Sequence, residues 1–140
     1  MKRFALLPAL ALVLFTPVLL AQAPAPVAKA KFIPPVKTTA TIDVVRAPSK
    51  RVGKEIQTTL KVKNTSKGSI NLLKVEQYWY DKAGKPVSFA DYAHKKAPIQ
   101  PGEVVEIKIA AIDNPQINSD LIMFKHAYGK VEARNVKKIE

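Results

Sequence analysis

The sequence predicts an all-β protein: an antiparallel β-sandwich of about seven strands, preceded by a signal peptide and a Pro-rich linker. Three observations predict it. From Thr38 onward apolar residues recur at every second position, the period of a half-buried strand. The runs are short and divided by segments rich in Gly, Pro, Asn, Asp and Ser, which supply turn dihedrals. No segment sustains a helical period, and no long repeat suggests a solenoid or propeller.

With 140 residues the chain is long enough for one domain and hardly for two. Residues 1–23 read as a signal peptide: Lys2 and Arg3 are followed by an apolar run from Phe4 to Leu20, then by Ala21-Gln22-Ala23. Cleavage is expected near Ala21 or Ala23, with a retained N-terminal anchor as the alternative. Pro8 and Pro17 interrupt the run, which is short against the ~20 residues of a membrane span. The expected location is therefore periplasmic or secreted, with no stable membrane span after cleavage. Residues 24–37 form an extended linker, because their prolines fix φ and withhold N–H donors. Residues 38–140 are the sandwich domain.

The strands follow in order. Thr39 to Arg46 places Ile42 and Val44 on one side and Thr41 and Asp43 on the other. Pro48 to Gly53 reads as a turn. Ile56, Thr58, Leu60 and Val62 then share the inward face, opposite Gln57, Thr59, Lys61 and Lys63. Asn64 to Ser69 is a turn by composition. Leu72 to Tyr80 is the third strand, with Leu73, Val75 and Trp79 inward and Lys74, Tyr78 and Tyr80 outward. In the tight turn that follows, Gly84 takes positive φ and the Asp81 carboxylate accepts backbone N–H bonds. Val87 to Tyr92 is a shorter strand. After a Pro101-Gly102 turn, Val105, Ile107, Ile109 and Ala111 point inward. Leu121 to Tyr128 and Val131 to Ile139 form a last hairpin across Gly129-Lys130.

Four pieces of this order, Lys63-Asn64-Thr65-Ser66, Gln77-Tyr78-Trp79-Tyr80-Asp81, Gly84-Lys85-Pro86-Val87 and Gln100-Pro101-Gly102-Glu103, carry a resemblance. Over about residues 55 to 110 the chain resembles the small bacterial exported Ig-like domains of the FxLYD type. Gln77 stands where that family has Phe and Trp79 where it has Leu, so the motif is partly kept. The resemblance implies a sandwich scaffold in the cell envelope and no shared catalytic residues.

Composition limits the chemistry. There is no cysteine, which removes disulfides, thiol catalysis, zinc–thiolate sites and a lipobox. Lys and Arg number 23 against 11 Asp and Glu, a formal charge of +12 that becomes +10 without Lys2 and Arg3. Such a balance favours acidic partners. The cations are spread along the chain in no nucleic-acid motif, and no specific nucleic acid is expected. His94 and His126, the only histidines, lack the local spacing of zinc sites. Asp113 to Asp120 offers oxygen ligands but lacks the glycine and closing glutamate of a calcium loop. No serine sits in a nucleophile-elbow context and no carboxylates are paired by sequence. No cofactor, metal or catalytic residue is expected, and the chain reads as a non-enzyme.

Two functional readings remain. In the first, the chain is a non-catalytic binding or assembly module of the bacterial envelope, recruiting another envelope protein through an exposed strand edge or loops. In the second, it binds anionic envelope polymer or carbohydrate on a face made of Tyr78, Tyr80, Lys61, Lys63 and Lys74. The core is expected to hold Trp79, Leu60, Val62, Val75 and Ile107.

Overall fold

Alternating apolar residues become strands only if each strand finds neighbours, and the pairing here is set far from the local sequence. The computed structural model describes residues 31–140. The expected signal peptide, the expected cleavage site and the first part of the expected linker lie outside them. The strands are β1 (Ala40–Arg46), β2 (Lys50–Val52), β3 (Glu55–Asn64), β4 (Lys74–Tyr80), β5 (Pro86–Ala93), β6 (Val104–Ile112), β7 (Ser119–His126) and β8 (Gly129–Asn135). The all-β class stands.

The strands lie in one continuous curled sheet, ordered β2-β3-β1-β8-β7-β4-β5, with β6 on the free side of β3. This is a half-barrel of mixed pairing rather than two separate antiparallel sheets. β3 is the centre. Along one edge it pairs with β6 from Glu55↔Ile112 to Lys63↔Val104. Its other edge is shared by β2 and β1. β4 lies between β5 and β7. The curl brings β5 beside β6, where the Ser88 hydroxyl donates to the Ile112 carbonyl at 2.6 Å.

Several boundaries differ from the sequence expectation for identifiable reasons. The expected turn over Pro48–Gly53 contains β2, because Gly53 at φ 61 closes a tight hairpin onto β3. The strand expected from Leu72 begins at Lys74, since Leu72 at φ 48 cannot be extended. The last strand ends at Asn135 rather than Ile139. It runs parallel to β1, and their ladder ends at Val44↔Asn135, followed by Val136 N–H to Val44 carbonyl at 2.9 Å. The end of the expected linker is hydrogen-bonded to the domain: Val36 N–H donates to the Ser69 carbonyl and Ser69 N–H to the Pro34 carbonyl.

The core follows the alternation. Trp79, Leu60, Val62, Val75 and Ile107 are all 5% exposed or less. They pack with Ile42, Val44, Ile70, Leu73, Ile99 and Ile109. Asn64, the last residue of β3, is fully buried; its amide donates to the Gly68 and Ile99 carbonyls and its oxygen accepts from Ser66 N–H. The Asp81 carboxylate accepts from the N–H groups of Ala83 and Lys85, each at 2.9 Å, with Gly84 at φ 78.

Candidate functional site

β7 and β8 begin as a hairpin and then part. They pair only at Lys125↔Lys130 and His126↔Gly129. Gly129 is required there, because a Cβ would collide with the Thr38 carbonyl. Beyond these two pairs β8 turns to β1, pairing from Ala40↔Val131 to Val44↔Asn135, while β7 stays on β4 from Lys125 to Ser119. Among the described residues, the edges of β7 and β8 that face one another therefore have no strand partner over Ser119–Phe124 and Val131–Asn135. At ~3.3 Å per residue, the six β7 residues make an open edge of about 20 Å.

The interior shows through this slot. Ladder partners point to the same face, so Val131, Ala133 and Asn135 point inward with Ala40, Ile42 and Val44. Ala40, Ile42 and Val44 are at most 2% exposed. Ala133 and Asn135 are nevertheless exposed, and Val131, Ile122 and Phe124 are only half-buried. Two connected hollows of about 480 Å³ and 610 Å³ share Ile122, Phe124 and Ala133 as walls. Val44, Leu60, Leu121 and Val136 complete the apolar lining of the first.

The end of the slot remote from the hairpin is spanned by an ion pair. Arg46 at the end of β1 reaches Asp120 on β7 at 2.9 Å. The pair belongs to a ring of polar side chains. Arg46 donates to Ser49 at 3.2 Å, Ser49 and Thr58 share a hydrogen bond of 2.7 Å, and the Gln77 amide donates to Thr58 at 3.1 Å and to Asp120 at 2.8 Å. Gln77 is fully buried, and its carbonyl oxygen has no partner. Leaving such a group unsatisfied costs roughly 1–3 kcal/mol. The alternation Leu73, Val75, Gln77, Trp79 already placed Gln77 inward, and it is the residue the sequence reading passed over. The slot had no local sequence signal beyond a weak one: the inward set of β8, Val131, Ala133 and Asn135, is small and polar for a core strand.

Outside the ring, ion pairs fix the strands flanking the slot. Arg134 makes a two-pronged contact with Asp43, at 2.8 and 2.9 Å, on the outer face of the β1–β8 ladder. That hydrogen bonding holds the Asp43 carboxyl below the usual aspartate value and raises the Arg134 guanidinium. Lys125 bonds Glu76 at 2.9 Å across β7 and β4, which raises the lysine.

The five residues proposed from sequence as a ligand face do not form one patch. Lys74, Tyr78 and Tyr80 lie on the outer side of β4, and Lys61 and Lys63 on the outer side of β3. The Gln77–Thr58 bond shows that β4 and β3 face each other through the interior, so their outer faces look in opposite directions. Tyr78 packs on its cross-strand partner Phe89, ring centroids 4.8 Å apart. His94 Nδ1 bonds the Tyr92 hydroxyl at 3.2 Å, and His126 Nε2 the Thr38 carbonyl at 2.8 Å. In the oxygen-rich loop Asp113 is bound by Arg51 at 3.0 Å, and Asn114 accepts from Gln116 N–H.

No family model and no curated protein matches the chain. Among solved structures it is similar to IrmA from Escherichia coli, with a TM-score of 0.49 and 7% sequence identity, over 69% of this chain and 91% of that one. At that identity no residue role passes from one protein to the other.

Proposed function

We propose that the chain is a non-catalytic binding or assembly module of the bacterial cell envelope, receiving an extended segment of another protein between β7 and β8. One observation carries the reading: two facing strand edges lie unpaired over an apolar interior that is exposed nowhere else along the inward faces of β1 and β3. An added strand satisfies both edges and covers that interior, which combines main-chain hydrogen bonding with apolar burial. Of the ionisable groups lining the two hollows, Arg46, Asp120 and Lys125 are engaged in ion pairs that hold strands together. Export is supported by the character of residues 1–23. The five residues of the polymer-binding alternative are divided between two walls, Lys74, Tyr78 and Tyr80 on β4 and Lys61 and Lys63 on β3.

The reading is tested with a photo-crosslinking amino acid placed in the cell-expressed protein at position 122 in the slot or at position 61 on the far wall. The proposal expects adducts to one extended protein segment from position 122 only. Equal labelling from both positions, or adducts from position 61 alone, would overturn it.

A further inference from the structure

We infer that the segment received between β7 and β8 is a strand of an acidic partner, with carboxylates flanking a core of alternating apolar residues. The inference rests on the slot reading above and adds the chemistry of the occupant. Alternation follows from the geometry. The floor made by Leu60, Ile122, Phe124 and Ala133 takes every second side chain, and the intervening ones face solvent. Because β7 and β8 are antiparallel, the incoming strand runs antiparallel to one and parallel to the other.

Charge identifies the flanks. At the hairpin end stands Lys130, which lines the larger hollow. At the other end Lys137 and Lys138 follow directly on Val136, a wall of the smaller one. All three are exposed, and among the described residues none has an ion-pair partner. Of the nearby carboxylates two are committed or turned away, and Glu140, two residues past Lys138, lies where its main-chain oxygen accepts from Lys63 on the outer side of β3 at 2.8 Å. Asp120 is held by Arg46 and Gln77, and Glu132 lies on the outer face with its ladder partner Thr41. The slot is therefore an apolar trough with unpaired cations at both ends.

The same charge argues against two other occupants. A second copy without Lys2 and Arg3 would bring a net +10 against a net +10, and like charge on that scale opposes association. The chain's own residues 1–30 hold Lys2, Arg3 and Lys29 and no carboxylate, the wrong sign for these ends.

Two probes test the inference on the exported full-length protein: a short valine–threonine alternating peptide flanked by glutamates, and the same peptide flanked by lysines. Binding is followed residue by residue from amide NMR shifts. The glutamate peptide should perturb Ile122, Phe124, Val131 and Ala133 and bind at least about tenfold more tightly than the lysine peptide at low salt. Raising the salt should narrow that gap, because these cations are exposed. Replacing Lys130, Lys137 and Lys138 together by Glu should reverse the preference. Ala133→Trp, which fills the slot from an exposed position, should abolish binding of both peptides while the rest of the spectrum is kept. Equal affinities for the two peptides would overturn the acidic partner and leave the slot reading standing. Binding of neither peptide, or binding untouched by Ala133→Trp, would overturn the slot reading with it. Slot shifts that grow with protein concentration alone would replace the acidic partner with a second copy.

Discussion

β3 and β8 both run beside β1, yet one is sealed and the other open. On β3 the inward residues Ile56, Thr58, Leu60 and Val62 are at most 6% exposed, because both edges of the strand are occupied. On β8 the inward residues Ala133 and Asn135 are exposed, because β7 leaves after two residue pairs. Burial of an inward side chain thus depends as much on the completeness of the sheet beside it as on its own position. Where a neighbour is lacking, the alternation still aims side chains at the core, but solvent reaches them. That difference separates a sealed wall from an open edge.

The comparison can be broken by mutation. The largest effect is expected at the closed end of β4. Trp79→Ala should lose about 3–5 kcal/mol of stability in denaturant unfolding, as expected for a buried aromatic. Tyr80→Ala, on the outer side, should lose much less. Equal losses would mean that the facing of β4 is misassigned. Gln77→Ala should cost about 1–3 kcal/mol, since Asp120 and Thr58 each lose a buried donor. Phe124→Ala, in the half-open wall, should cost only about 1 kcal/mol, roughly half the lower figures for a fully buried apolar side chain. A Phe124 loss as large as that of Trp79 would show that the slot is closed in solution.

Acid gives a smaller effect with a defined direction. The Arg134 hydrogen bond lowers Asp43 below its ordinary 3.8. The stabilisation from this pair is therefore complete above that value and is lost as pH falls through the lower folded value. Below it β8 should release from β1 before β3 releases from β6, seen as faster amide exchange in Val131–Asn135. Asp43→Asn should show the same early release already at neutral pH. If β8 and β3 exchange together under acid, Asp43 does not hold the open strand.

Much of the closed region was legible in the sequence. The alternation Ile56, Thr58, Leu60, Val62 names its buried face directly, and so does Val105, Ile107, Ile109, Ala111. The Asp81 turn was readable because its bonds are local. The slot was not, since it arises from the parallel pairing of the first and last strands, and no local pattern encodes a neighbour ninety positions away. The proposed tyrosine–lysine face failed to assemble for the same reason: alternation says which residues point outward, not which outward faces coincide. Gln77 was within reach of the pattern, as an inward position occupied by an amide.

Residue-resolved amide hydrogen exchange on the free protein tests the open edge most directly. In a strand every second N–H points to a given neighbour. The account predicts that about half of the amides in Ser119–Phe124 exchange rapidly while those facing β4 are protected. Across β3, with both edges occupied, protection should be continuous. Continuous protection along β7 equal to that of β3 would contradict it.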